Sequence, residues 1–375
     1  MAFFNDYDKE KIMAQMTSRE RYLRSLNHQE ADRIPMTDSP WGETIARWKR
    51  EGMPENLDIT EYFGWDRQAH YGGDWTLRLP GEIIEETDEY IISKSGNGAI
   101  TKNFKGGAIN HHSTTQWLEF TINEPKIWNE HKHRLTPTRD RINWDSIKSI
   151  QEMQDKGILT VVMQPIGFDP MSQVVGQLQL LMAIADQPEW VHDIFDVTTN
   201  LAIGLIKMMI EDGAKFDVGM TTDDLGYVAG PFFSPKHFRE VLKPYHKRYC
   251  DFCHENGMKT ILHCCGNVKQ LIPDLIEAGW DCLNPVEVKA GMDLRELKPL
   301  YGDKLAFYGG IDVRLMSAED DSVIEEEVRT KIECAKQGGG YIYHSDHSVP
   351  EDVSWDNYQR LMKLVHKYGV YNGAK

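Results

Sequence analysis

The residues of this 375-residue chain that can do chemistry cluster in its last third, and the densest group is Leu262-His263-Cys264-Cys265-Gly266-Asn267. An apolar run there delivers His263 and Cys265 two residues apart, which on a strand places both side chains on one side. Imidazole nitrogen and cysteine sulfur are the donors that Zn2+ favours, and a catalytic zinc site needs about three protein donors and one open position. His347, after another short apolar run, is the best candidate for the third donor, with Glu287 and Asp223 as alternatives. A bare His-x-Cys is also what a hydrogen-bonded core histidine beside a small apolar cysteine looks like. What favours a metal is the company: Asp38, Gln164, Asp223 with Asp224, Glu287, Asp312, His344, Asp346 and His347 all follow apolar runs.

Those runs are the elements that must position the chemistry. Strand-like stretches fall at 34–37, 159–164, 216–221, 260–263, 282–284, 305–308 and 341–343, with helical patterns between the later ones. A helix over 17–28 precedes them, capped by Thr17 or Ser18 with Glu20 in its first turn. Strand and helix in alternation call for a parallel sheet, and so many repeats make a closed (β/α)8 TIM barrel the expected fold, with one strand missed or degenerate. No Gly-x-Gly-x-x-Gly follows the first strand, which argues against an open dinucleotide-binding sheet. In such barrels the working groups sit where strands end, so carboxylates, imidazoles and a thiol are expected to converge on one mouth. Residues 65–125 instead alternate in the manner of antiparallel hairpins, and are expected to form an insertion after the first strand that caps one end of a single 1–375 domain.

Composition sets limits on function. With 41% hydrophobic and 27% charged residues the chain has ordinary globular character, and no stretch reaches the roughly 20 apolar residues of a membrane span. Residues 1–20 carry no apolar signal core, so a cytoplasmic location is expected. A formal net charge of −16 and no basic stripe argue against nucleic acid as a partner. The six cysteines are expected as free thiols or ligands, and the Cys250-x-x-Cys253 pair, inside a helical pattern, as structural.

The opening Arg19-Glu20-Arg21-Tyr22-Leu23 through Ile34-Pro35 resembles that of the uroporphyrinogen decarboxylase superfamily. Four later blocks resemble it as well: Asp223-Asp224-Leu225-Gly226, His263 through Val268, Leu283-Asn284-Pro285-Val286-Glu287, and Phe307-Tyr308-Gly309-Gly310-Ile311-Asp312, followed by Gly338 through His347. The superfamily includes decarboxylases and corrinoid-dependent methyltransferases. True decarboxylases carry an arginine-bearing segment after the first strand; here it reads Asp38-Ser39-Pro40-Trp41-Gly42-Glu43, where a polyanionic tetrapyrrole would meet carboxylates. The methyltransferase branch has a zinc site of His-x-Cys plus a distant Cys; His263 and Cys265 match its first two positions, and His347 stands at the third.

The resemblance therefore implies an enzyme that moves a methyl group between a small methylated substrate and the cobalt of a corrinoid (cobalamin) carried by a partner protein, with Zn2+ at His263, Cys265 and His347. O-demethylation of an aryl methyl ether is the leading expectation, with Asp223 or Glu287 managing the proton that the departing oxygen needs. Asp38, Trp41, Gln164, Asp224, Tyr227 and Tyr308 are expected to line the substrate. The alternatives are methyl transfer from the corrinoid to a thiol such as coenzyme M, and decarboxylation of a small carboxylate or porphyrinogen. A barrel that only binds a small ligand is disfavoured by so many polar groups at strand ends.

Overall fold

The structure is a computed structural model that describes residues 16–105 and 115–371. Strand β1 (Gln68–Tyr71) is followed by an antiparallel sheet of β2 (Glu82–Glu86), β3 (Tyr90–Lys94), β4 (Ala99–Phe104) and β5 (Thr115–Phe120). Then come β6 (Leu159–Met163) and β7 (Val218–Thr222), a small hairpin of β8 (Gly226–Tyr227) and β9 (Gly230–Pro231), and β10 (Lys259–His263), β11 (Cys282–Asn284), β12 (Ala306–Tyr308) and β13 (Tyr341–Ile342). One seven-stranded sheet in the order β1-β6-β7-β10-β11-β12-β13 is parallel at every pairing.

The sheet curls around a core of its own. Alternate residues of successive strands, Leu159 and Val161, Val218 and Met220, Ile261, Cys282, Ala306 and Tyr308, and Ile342, form one cluster distinct from the larger core outside the sheet. Period-two alternation places these on the concave face, while the intervening residues, Val162 and Leu262 among them, pack against the helices. Tyr22 and Leu26 of helix α1 (Ser18–Leu26) join the inner cluster and fill its lower end. Of the two candidate caps of α1, Thr17 is the one used, and the cap is reciprocal: Thr17 accepts from the Glu20 amide, and the Glu20 carboxylate accepts from the Thr17 amide.

Residues 34–37 make isolated contacts, not a full strand, and join the two edges of the sheet. The Tyr343 amide donates to Pro35 O (2.8 Å), that of Thr37 to Tyr343 O (3.1 Å), and that of Asp66 to Met36 O (2.6 Å). Residues 65–125 do not form one insertion. β1 lies within that stretch and pairs with β6, so the antiparallel segment begins after the second rung of the sheet. The physical reason is that Gln68 and His70 stand on one face of β1, so the strand has no apolar run to announce it. Among the described residues no helix is long and apolar enough to cross a membrane.

Candidate metal centre in the barrel mouth

A cavity of about 830 Å³ opens where the strands end, with His263, Cys265, Asn284, Tyr308, His344 and His347 among the residues of its wall. Asp38 lines it from just after the segment that joins the sheet edges, Trp65 from just before β1, and His70 from β1 itself.

The chemical centre is Asp224, His263 and Cys265, which each offer one donor atom within 4.8 Å of the others, the one group of three or more such residues found among the described residues. Strand β10 ends at His263, and its continuation carries Cys265 to the same side, with Sγ 3.5 Å from His263 Nε2. The other ring nitrogen is fixed by Asn284. Its amide donates to Tyr308 O (3.0 Å), which turns Oδ1 towards His263 Nδ1 at 2.5 Å. A carbonyl oxygen accepts only, so Nδ1 carries the proton and the lone pair of Nε2 faces the sulfur, the arrangement in which histidine binds a metal. Asp224 Oδ1 accepts from the Cys265 amide (2.7 Å). Burial, then the Asp224 and Glu287 carboxylates, push the Cys265 thiol well above its ordinary range, so a thiolate there needs a cation beside it. One nitrogen, one sulfur and one oxygen donor beside an open cavity fit the donor set of a catalytic zinc site.

The turn after Cys265 depends on glycine. Gly266 has φ +85°, and a Cβ there would lie 2.2 Å from the carbonyl carbon of Gly226. Its amide donates to Glu287 Oε2 (2.7 Å), and Glu287 Oε1 pairs with Lys289 at 3.0 Å. Both oxygens of Glu287 thus hold the turn and its neighbour, where a proton-managing role was expected.

Asp223 does not reach the cavity. It is fully buried, accepts from the Asp169 amide (2.7 Å), and meets His246 Nε2 at 2.8 Å. Trp280 Nε1 donates to His246 Nδ1 (3.1 Å), so the proton of that imidazole is on Nε2 and is given to Asp223. Adjacent residues point opposite ways, and it is Asp224 that faces His263 and Cys265. Burial, reinforced by Asp224 and Asp223, raises the neighbouring Asp169 carboxyl to about 7.

His347 lines the cavity, edge-on to Trp41 with ring centres 5.6 Å apart, but stands outside the three-donor group; Asp224 occupies the place expected of it. Asp38 also lines the cavity, its carboxylate accepting from Tyr358 Oη (2.7 Å), Tyr343 Oη (3.1 Å), the Ser39 amide (3.0 Å) and the Ser345 hydroxyl. Tyr308 lines it with its hydroxyl accepting from Gln68 Nε2 (3.1 Å). The other four expected substrate contacts are not on that wall: Asp224 belongs to the donor group and Trp41 packs against His347. Gln164 is fully buried with Nε2 3.5 Å from Gly73 O, and Tyr227, on the β8–β9 hairpin, is half-exposed and stacked on Phe232. Sequence reasoning overlooked Asn284, His70, His246 and Asp169. Asn284 closes an expected strand and was open to the strand-end rule; the other three carried no signal without β1 and the helix positions.

A family model described as uroporphyrinogen decarboxylase (URO-D) matches residues 139–368. The chain is 28% identical over 188 residues to a uroporphyrinogen decarboxylase of Hydrogenovibrio crunogenus, covering 48% of this chain and 49% of that protein. It is 35% identical over 117 residues to the methylcobamide:CoM methyltransferase MtaA of Methanosarcina barkeri, 31% of this chain and 32% of that one. The chain thus spans about half the length, or less, of these curated relatives. A solved methyltransferase from Methanosarcina mazei superposes with a TM-score of 0.64 over 94% of this chain and 99% of that one, at 16% identity, a likeness of fold.

Proposed function

The chain belongs to the uroporphyrinogen decarboxylase family, and we propose that within it the protein is a corrinoid-dependent methyltransferase, moving a methyl group between a small methylated substrate and the cobalt of a corrinoid on a partner protein. The observation that carries this reading is the Asp224–His263–Cys265 donor group in the mouth of the curled sheet. Bound to those three, Zn2+ would supply Lewis acidity towards an oxygen or a thiol in the open position. Asn284 sets the tautomer and direction of His263, and the Glu287–Gly266 contact holds the turn on which Cys265 sits. His347 then remains on the wall of the cavity beside the substrate.

The substrate proposed is an aryl methyl ether. Trp65 and Tyr308 give the cavity aromatic surface, with Ile45 and Met220 beside them. The one arginine of its described wall, Arg67, pairs with Asp58 (2.9 Å), and Asp66 is held by Arg21 (3.0 Å) and Arg33 (2.6 Å) from behind. A substrate rich in carboxylates would find no uncommitted guanidinium among the described lining residues, which speaks against a porphyrinogen. The stretch related to the methylcobamide:CoM enzyme favours the second reading, methyl transfer to a thiol.

Zinc-loaded protein incubated with free cob(I)alamin and a series of methoxybenzenes tests this directly. Methylcobalamin should form only when protein, zinc and ether are all present. No methyl transfer from ethers, with turnover of methylcobalamin plus 2-mercaptoethanesulfonate, would move the assignment to the thiol reaction; carbon dioxide release without corrinoid would remove both.

A further inference from the structure

The wall of the cavity carries a hydrogen-bond donor that the protein itself leaves unused. Gln68, on the inward face of β1, donates from Nε2 to Tyr22 Oη (2.6 Å) and to Tyr308 Oη (3.1 Å), and the two hydroxyls are hydrogen-bonded to each other. Tyr22 is fully buried, and among the described residues the Tyr308 hydroxyl oxygen is the one acceptor that its proton meets. A buried hydroxyl needs a partner, so Tyr22 donates to Tyr308. Tyr308 Oη thus accepts from two donors already, and its own proton points away from both, into the cavity that Tyr308 lines.

His70 stands on the same face of β1 as Gln68, two residues or about 7 Å further along the strand. It lines the cavity with no polar partner among the described residues. Burial within the barrel lowers its pKa from the ordinary value, so the ring is neutral near pH 7 and keeps one nitrogen free to accept. We infer that Tyr308 and His70 form a subsite for a hydroxyl on the aromatic ring of the substrate, Tyr308 donating to its oxygen and His70 accepting a hydrogen bond from it, so that the substrate class is a methoxyphenol; the inference rests on the O-demethylation reading above.

Strand register sets this subsite against the donor group. His263 pairs with Asn284, and Asn284 donates to Tyr308 O (3.0 Å), so the three residues stand abreast on β10, β11 and β12. His263 and Tyr308 enter the same cavity two strand spacings apart, about 10 Å between backbones. β12 and β1 are far apart along the sheet, so the contact of Tyr308 with Gln68 crosses the interior and brings its hydroxyl to the side where His70 stands. A substituted benzene can then meet the donor group with its ether and this pair with its hydroxyl. A carboxylate would have no proton for His70 and no free guanidinium to balance it.

Calorimetric titration of zinc-loaded wild type, Tyr308→Phe and His70→Phe tests this with the three methoxyphenols, the three dimethoxybenzenes, which accept but do not donate, and methoxybenzene, which reports the cavity without the subsite. Wild type should bind its best methoxyphenol about 10- to 100-fold more tightly than methoxybenzene, with the matching dimethoxybenzene between. Relative to methoxybenzene in the same protein, Tyr308→Phe should lose about 3- to 12-fold on both oxygenated ligands, and His70→Phe a similar factor on the methoxyphenol alone. A wild type that binds methoxybenzene as tightly as every methoxyphenol, or a preference that survives both substitutions, would overturn the subsite. Methyl transfer to cob(I)alamin is read in parallel. Transfer without the preference removes the subsite and leaves the reaction; the preference without transfer from any ether removes the reaction and leaves the pair as a phenol site.

Discussion

Asp169→Asn in metal-free protein should stabilise the fold at neutral pH and flatten its pH dependence. The Asp169 carboxyl, raised from 3.8 to about 7 by burial and by the Asp224 and Asp223 charges, keeps its proton in the folded state across a range where the unfolded chain has lost it. Between about pH 4 and 7 the folded state therefore binds the extra proton, so stability falls as pH rises through that window and stays lower above it. Each pH unit of that window is worth about 1.4 kcal/mol, which bounds the loss at about 4 kcal/mol; relaxation and water entry reduce it, and about 2 kcal/mol is expected. Asparagine is nearly isosteric, keeps the contact with Gln173, and carries no charge. Urea denaturation at pH 4.5, 6, 7 and 8 with chelator present reads the effect. The variant should match wild type near pH 4.5 and exceed it at pH 8, and parallel curves for the two proteins would refute the reasoning. Zinc added to wild type should recover part of the same stability, because a cation on Asp224 removes one source of the repulsion.

Asn284→Ala should weaken zinc binding about 10- to 100-fold, because His263 loses the acceptor that fixes its tautomer; an unchanged Kd in a competitive chelator titration would contradict this. His246→Phe keeps ring volume but removes the donor to Asp223 and leaves the Trp280 indole N–H unpaired, at a cost of about 3 kcal/mol measurable by denaturant unfolding; a variant within 0.5 kcal/mol or so of wild type would show the pair to be dispensable. Gly266→Ala must place a methyl 2.2 Å from backbone at φ +85°, so a loss of at least about 2 kcal/mol together with lower zinc stoichiometry is expected, and full stability with full zinc would sink the argument for that turn.

Much of this was legible in the residues. The runs ending at His263, Asn284 and Tyr308 are apolar and short, as strands buried on both faces must be, and they placed the His-x-Cys pair at a strand end before any coordinates. The cap of α1 was legible because Thr17 and Glu20 stand at the spacing that a reciprocal cap requires. β1 was not, because its inward residues are Gln68 and His70, polar groups that serve the cavity and disguise the strand. The choice between Asp223 and Asp224 turns on the parity of a loop after β7, which adjacent identical residues leave undetermined. Nor could spacing tell that His344 and His347 would both line the cavity and both stand outside the three-donor group.

The central claim is a three-residue centre of mixed donors, and X-ray absorption at the zinc edge tests it most directly. Zinc-loaded protein should show one sulfur at about 2.3 Å and nitrogen or oxygen neighbours at about 2.0–2.2 Å, with the sulfur lost in Cys265→Ser and one imidazole lost in His263→Ala. A shell without sulfur, or a spectrum unchanged by Asp224→Ala while His347→Ala alters it, would contradict the Asp224–His263–Cys265 assignment.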